Sequence, residues 1–369
     1  MADPRPAFGP TMHQGAGAAQ GAARRSGGRG AVPYHDGMNA HPSPLKFFVP
    51  AWFAVVMGLA GLALAWHRAT PALGEMAGGI SLVLALAAAT VFAALAVASF
   101  ARARRHPEAF REDFAHPVRH PFVAAAPISV SLLATASVAL AGASVAAEAA
   151  WWLGSIAQFL VTAWVVSKWW RGNQPGGIAW PALTPALVIP VVGNVLVPLA
   201  GVPLGHEAWS AAQFAVGLFF WPLVHGLILV RLATQGSWPE RLQPAVFVFV
   251  APPSVVGLAF AQFGAHALLA WAAWGIALFS LLLAATQLRR IAALPFAMPH
   301  WAMSFPLAAF SALTLRLGPP GSAISGVGIL ALALASLLIL ALAFATVKGL
   351  RDGTLLAPEP VAAIQPASP

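Results

Sequence analysis

An all-α polytopic membrane protein of ten transmembrane helices is the fold class this sequence predicts, and three observations carry that reading. Hydrophobic residues make up 59% of the 369 and charged residues only 8%, against about a quarter charged in a soluble domain. Apolar stretches of about 20 residues, each long enough to cross a bilayer core, recur along the chain. Basic residues gather in alternate connections, the pattern of cytoplasmic loops in membrane proteins.

Taken in order, the spans fall near 47–66, 78–100, 120–142, 149–170 and 180–200, then 208–232, 243–263, 266–288, 295–316 and 325–347. With this division, 18 of the 20 Lys and Arg residues lie on one side, leaving Arg68 and Arg316 on the other. The two sets of connections are therefore cytoplasmic and outer, with both termini cytoplasmic, in a multi-pass protein of the inner (plasma) membrane. The net charge of +9 reports this topology; nucleic acid is not expected as a partner, and the lipid bilayer is.

Residues 1–45 are rich in Gly, Ala, Pro and His and hold little that could build a core, so they read as a disordered cytoplasmic tail. The Pro- and Ala-rich stretch 351–369 reads the same way, and 46–350 is the membrane domain.

Prolines sort by parity. The odd spans carry Pro50, then Pro121 and Pro127, then Pro181, Pro185, Pro190 and Pro198, then Pro244, Pro252 and Pro253, then Pro295, Pro299 and Pro306. In the even spans only Pro222 interrupts a helix. Proline removes a backbone hydrogen bond and bends a helix, and freed carbonyls in hydrocarbon need a partner or a wet cavity. The expectation is five helical hairpins, with kinked odd helices in an inner ring around a pore and straight even helices outside.

No carboxylate, Lys or Arg falls at the middle of a span. Coupled carriers and pumps ordinarily place a costly ionisable group there. A charge-free pathway would hold an anion weakly through helix dipoles and hydroxyls, which suits conduction. His225, in the sixth span, is the one deep histidine. It reads first as an interhelix hydrogen-bonding group and second as a candidate proton relay. His116 and His120 have a metal-ligand spacing, but Pro117 and Pro121 disrupt the helix it needs, so neither a metal nor any other cofactor is expected. No nucleophile–base constellation is present, which makes an enzyme the least supported class. Phe53, Pro127, Ser129, Asn194, Pro252, Ser254 and Ser304, all in odd spans, are candidates to line a pathway. Ordinary interhelix hydrogen bonding accounts equally well for the polar ones.

FVPAWFAVVMGLAGLALAW in the first span, HPVRHPFVAAAPIS entering the third and LTPALVIPVVGN in the fifth carry a family resemblance. PERLQPAVFVFVAPPSVVGLAF and HWAMSFPLAAF extend it through the seventh and ninth. Over 46–350 the chain resembles the tellurite-resistance/dicarboxylate transporter family, which includes bacterial TehA-like proteins and the plant guard-cell slow anion channels. The resemblance implies a homotrimer whose protomers each have a pore lined by five inner helices. It also implies a phenylalanine of the ninth helix as the pore gate, which falls on Phe305. The implied partners are small inorganic or organic anions. Two functions follow as expectations: a phenylalanine-gated anion channel, or a proton-linked transporter of C4-dicarboxylates or of oxyanions such as tellurite or sulfite.

Overall fold

The computed structural model describes residues 43–357 other than Asn173, Pro175, Gly176 and Ala179. Of the tails expected at 1–45 and 351–369, residues 1–42 and 358–369 lie outside the described residues. Among the described residues, eight helices are long and apolar enough to cross a membrane. The expected fifth span is a shorter apolar helix, Pro185–Gly201, and the ninth runs from a 3-10 turn at Met298–Met303 into an α-helix ending at Leu317. Among the described residues the regular structure is helical throughout.

The helices pair consecutively. α1 (Ala54–Leu73) packs on α2 (Glu75–Arg105), which is followed by the short α3 (Pro107–Ala115). α4 (Ala125–Ala141) packs on α5 (Val145–Ser167). The broken pair α6 (Val188–Leu196) and α7 (Pro198–Gly201) pack on α8 (Glu207–Gln235). α9 (Ala251–Gln262) packs on α10 (Ala267–Ala285), and the short α11 (Leu288–Ala292) leads toward α12 (Ser304–Leu317), which packs on α13 (Ala323–Arg351). All five pairs turn through a glycine at positive φ: Gly74, Gly142, Gly205, Gly264 and Gly321. A Cβ strains that conformation, so this turn repeats with glycine in it.

The prolines do something more specific than bend. Each odd span begins as a 3-10 turn: Pro50–Phe53, His120–Ala124, Pro185–Leu187, Glu240–Val250 and Met298–Met303. An α-helix then follows, and Pro127, Pro190, Pro253 and Pro306 are each its third residue. Backbone N–H groups in a first α-helical turn have no acceptor within the α-helix, so proline loses little there. The prolines lie inside continuous helical segments, as His120–Ala141 and Glu240–Gln262 show, at the junction where the 3-10 helix passes into the α-helix.

Burial divides by the same parity. Of the apolar windows, 61%, 56% and 83% are buried in the spans holding α1, α4 and α9. The figures are 17%, 33%, 28%, 28% and 33% for α2, α5, α8, α10 and α13. Contacts among the odd helices run α1 to α4, α4 to α6, α6 to α9, α9 to α12, and α12 back to α1. The largest apolar cluster draws on all five, with Met57, Ile128, Val192, Val256 and Phe305 among its members. The even helices present leucine-rich faces outward, as Leu330, Leu334, Leu337 and Leu340 of α13 do.

At the basic end an ion cluster locks the first hairpin. Arg102, in the last turn of α2, donates to the Asp113 carboxylate at 2.5 Å, to the Ala109 carbonyl at 3.1 Å and to the Lys46 carbonyl at 3.2 Å. Arg119 reaches the other Asp113 oxygen at 3.2 Å. Asp113 is fully buried and sits on α3, a helix where the sequence suggested only a loop.

Candidate functional site

A cavity of about 40 Å³ lies where the five odd segments meet. Met57, Phe122, Val192, Val248 and Phe305 each bring one segment to its wall, and no charged side chain lines it. Ala54, Ala125 and Ala251, which also line it, are the first residues of α1, α4 and α9. Ile189 and Phe305 are the second residues of α6 and α12. Five junctions where a 3-10 segment passes into an α-helix therefore converge on one apolar space. An apolar wall without fixed charge is what the site offers.

Phe305 is 5% exposed, and its ring lies against α1 at Gly61. A Cβ built on Gly61 would stand 2.9 Å from Phe305 Cδ2, so glycine makes the room that the ring occupies. Phe53 belongs to the same apolar cluster, with its ring 5.7 Å from that of Phe92.

The polar candidates are committed to the protein. Ser129 donates to the Ala125 carbonyl at 2.7 Å and approaches the Phe53 carbonyl at 3.3 Å. Ser254 donates to the Val250 carbonyl at 2.7 Å, and Ser304 to that of Trp301 at 2.6 Å. Pro127 and Pro252 are buried near the starts of α4 and α9, and the Pro127 carbonyl faces Gly154 of α5. Asn194 turns toward α5 and α8, donating to Thr162 Oγ1 at 2.8 Å and to the Pro190 carbonyl at 2.9 Å, and accepting from Gln213 at 3.1 Å. Gln158 and Thr162 also donate to the Pro190 carbonyl, at 2.6 and 2.8 Å. His225 sits on α8 with its ring 4.4 Å from that of Phe249. It does not line the cavity.

The structure thus brings Phe53 and Phe305 into one cluster and ties Ser129 to the Phe53 backbone. Of the sequence candidates Phe305 is on the cavity wall, and Phe53, Pro127, Ser129, Asn194, His225, Pro252, Ser254 and Ser304 lie off it. Sequence reasoning missed the apolar lining residues Met57, Phe122, Val192 and Val248. The available signal for Phe122, Val192 and Val248 was a proline within four residues, at Pro121, Pro190 and Pro252. No group of three or more His, Cys, Asp or Glu residues able to hold a metal occurs among the described residues.

The model of the voltage-dependent anion channel family matches residues 47–347. The S-type anion channel SLAH2 of Arabidopsis thaliana is 24% identical over 287 residues, which cover 74% of this chain and 53% of that protein. The tellurite resistance protein TehA homolog of Haemophilus influenzae is 25% identical over 315 residues, covering 85% of this chain and 93% of that protein. The S-type anion channel SLAH3 of Arabidopsis thaliana is 26% identical over 238 residues, and the match covers 36% of it. The matched stretch therefore spans about half or less of these two plant relatives.

Proposed function

Since this chain belongs to the voltage-dependent anion channel family, we propose that it passes small anions across the inner membrane along the axis of its five odd helices, with Phe305 as the gate. In this reading all ten segments span the membrane, both termini are cytoplasmic, and each protomer of a homotrimer has its own pore. The observation that carries it is the convergence of the five odd segments on a cavity free of charged side chains and walled by Phe305. With no fixed charge on its wall, such a pathway holds an anion weakly enough for release. The aromatic ring keeps basal flux low.

A proton-linked carrier would need an ionisable relay on the path. No such group lines the cavity, and His225 stands on an outer helix. The channel reading is therefore preferred. Its test is a planar-bilayer recording of the reconstituted full chain beside Phe305→Ala. A several-fold or larger rise in ohmic current, reversing near the anion equilibrium potential, is expected in the variant. Absence of current from both proteins, with the variant folded, would overturn the reading.

A further inference from the structure

The two basic residues on the wrong side of the charge pattern meet in space. Arg68 lies in the last turns of α1 and Arg316 in the last turn of α12, and these two helices pack together. Both line a basin of about 540 Å³ at the end of the bundle opposite the axial cavity, together with His67, Thr70 and Ser325. Both arginines are exposed to it, and neither has a carboxylate partner among the described residues. Glu148, an acid of the same end, is occupied by His206 at 2.7 Å. The Thr70 hydroxyl is buried at the basin wall and has no hydrogen-bond partner.

A cation near a helix C-terminus is ordinarily explained by the helix dipole. That accounts for either arginine alone. It does not account for two like charges sharing one basin with an unsatisfied hydroxyl, because like charges raise each other's energy. An anion in the basin would relieve the repulsion and supply the acceptors. Guanidinium forks suit planar, bidentate contact with the oxygens of a phosphate or sulfate group. We infer that the basin lined by His67, Arg68, Thr70 and Arg316 is an oxyanion-binding site, at the far end of α1 and α12 from the axial cavity. The oxyanion is either free in solution or carried on a lipid headgroup, since both present the same oxygens to a guanidinium.

The test uses the purified full chain at low ionic strength, with thermal unfolding followed during titration with sodium sulfate against chloride of matched ionic strength. Sulfate is expected to raise the midpoint of the wild-type protein. Arg68→Gln with Arg316→Gln should weaken the effect about tenfold or more, as loss of charge-assisted hydrogen bonds does. Thr70→Val, which leaves both charges in place, should weaken it less. Repeating the titration in nanodiscs of neutral lipid and of phosphatidylglycerol separates the sources. A sulfate effect abolished by phosphatidylglycerol identifies a headgroup site, and one that persists identifies a site for free anions. The inference is overturned if sulfate and phosphatidylglycerol both leave the wild-type midpoint where chloride does. It is equally overturned if the double variant, eluting as the wild type does, responds to sulfate as the wild type does. The readout here is a binding shift and not a current, so failure of this inference and failure of the channel reading are distinguishable.

Discussion

On its axial face α6 presents Ile189 and Val192 to the cavity, while on its far side the same helix presents Asn194 to Thr162 of α5 and Gln213 of α8. The cavity wall is apolar and its hydroxyl neighbours are bonded to backbone carbonyls within the helices. The seam is a chain of buried amides and hydroxyls gathered on the Pro190 carbonyl. In a bilayer, polar side chains hold helices together because lipid offers them no competing partner. Polarity has accordingly gone to the joints, and the axis is left to apolar packing.

That contrast can be broken from either side. The largest loss of stability is expected at the buried ion cluster of the basic end. Asp113→Asn would strand Arg102, whose side chain is 4% exposed, without its counter-charge. Unpairing a buried ion costs about 3–5 kcal/mol, so a marked fall in the unfolding midpoint in detergent is expected. Asn194→Leu removes one joint of the α5–α6–α8 seam and should cost about 1–2 kcal/mol. The ion selectivity of currents recorded in a Phe305→Ala background should stay unchanged. A changed selectivity would mean that Asn194 belongs to the pathway after all. The smallest effect belongs to Ser254→Ala, since its hydroxyl only repeats a contact to the carbonyl four residues back. Stability within about 0.5 kcal/mol of wild type is expected, with unaltered conductance.

Much of this architecture was legible in composition and spacing. Runs of apolar residues located the helices, and proline parity separated the buried from the exposed ones. The reason for the parity was not legible. Pro127 and Pro190 look like breaks in a linear apolar run, and only the register of the helix shows them to be third residues after a 3-10 turn. The glycine in each hairpin turn, such as Gly142 at φ 80°, was visible as a residue but not as a repeat. The indole N–H groups of Trp66, Trp209 and Trp238 donate to Ser336, Ser155 and the Leu183 carbonyl, partners too distant in sequence to foresee. Phe305 came from family resemblance, because nothing in a run of apolar residues distinguishes one phenylalanine from another. Asn194 had two readings from sequence, and its hydrogen bonds place it in the seam.

The most direct measurement exploits the absence of cysteine from the chain. Val192→Cys, on the cavity wall, would be combined with Phe305→Ala and exposed to a charged methanethiosulfonate reagent during current recording. Block of the anion current on modification, with Phe305→Ala alone unaffected by the reagent, is the expected result. Undiminished current through protein shown by mass spectrometry to be modified at that cysteine would contradict an axial route.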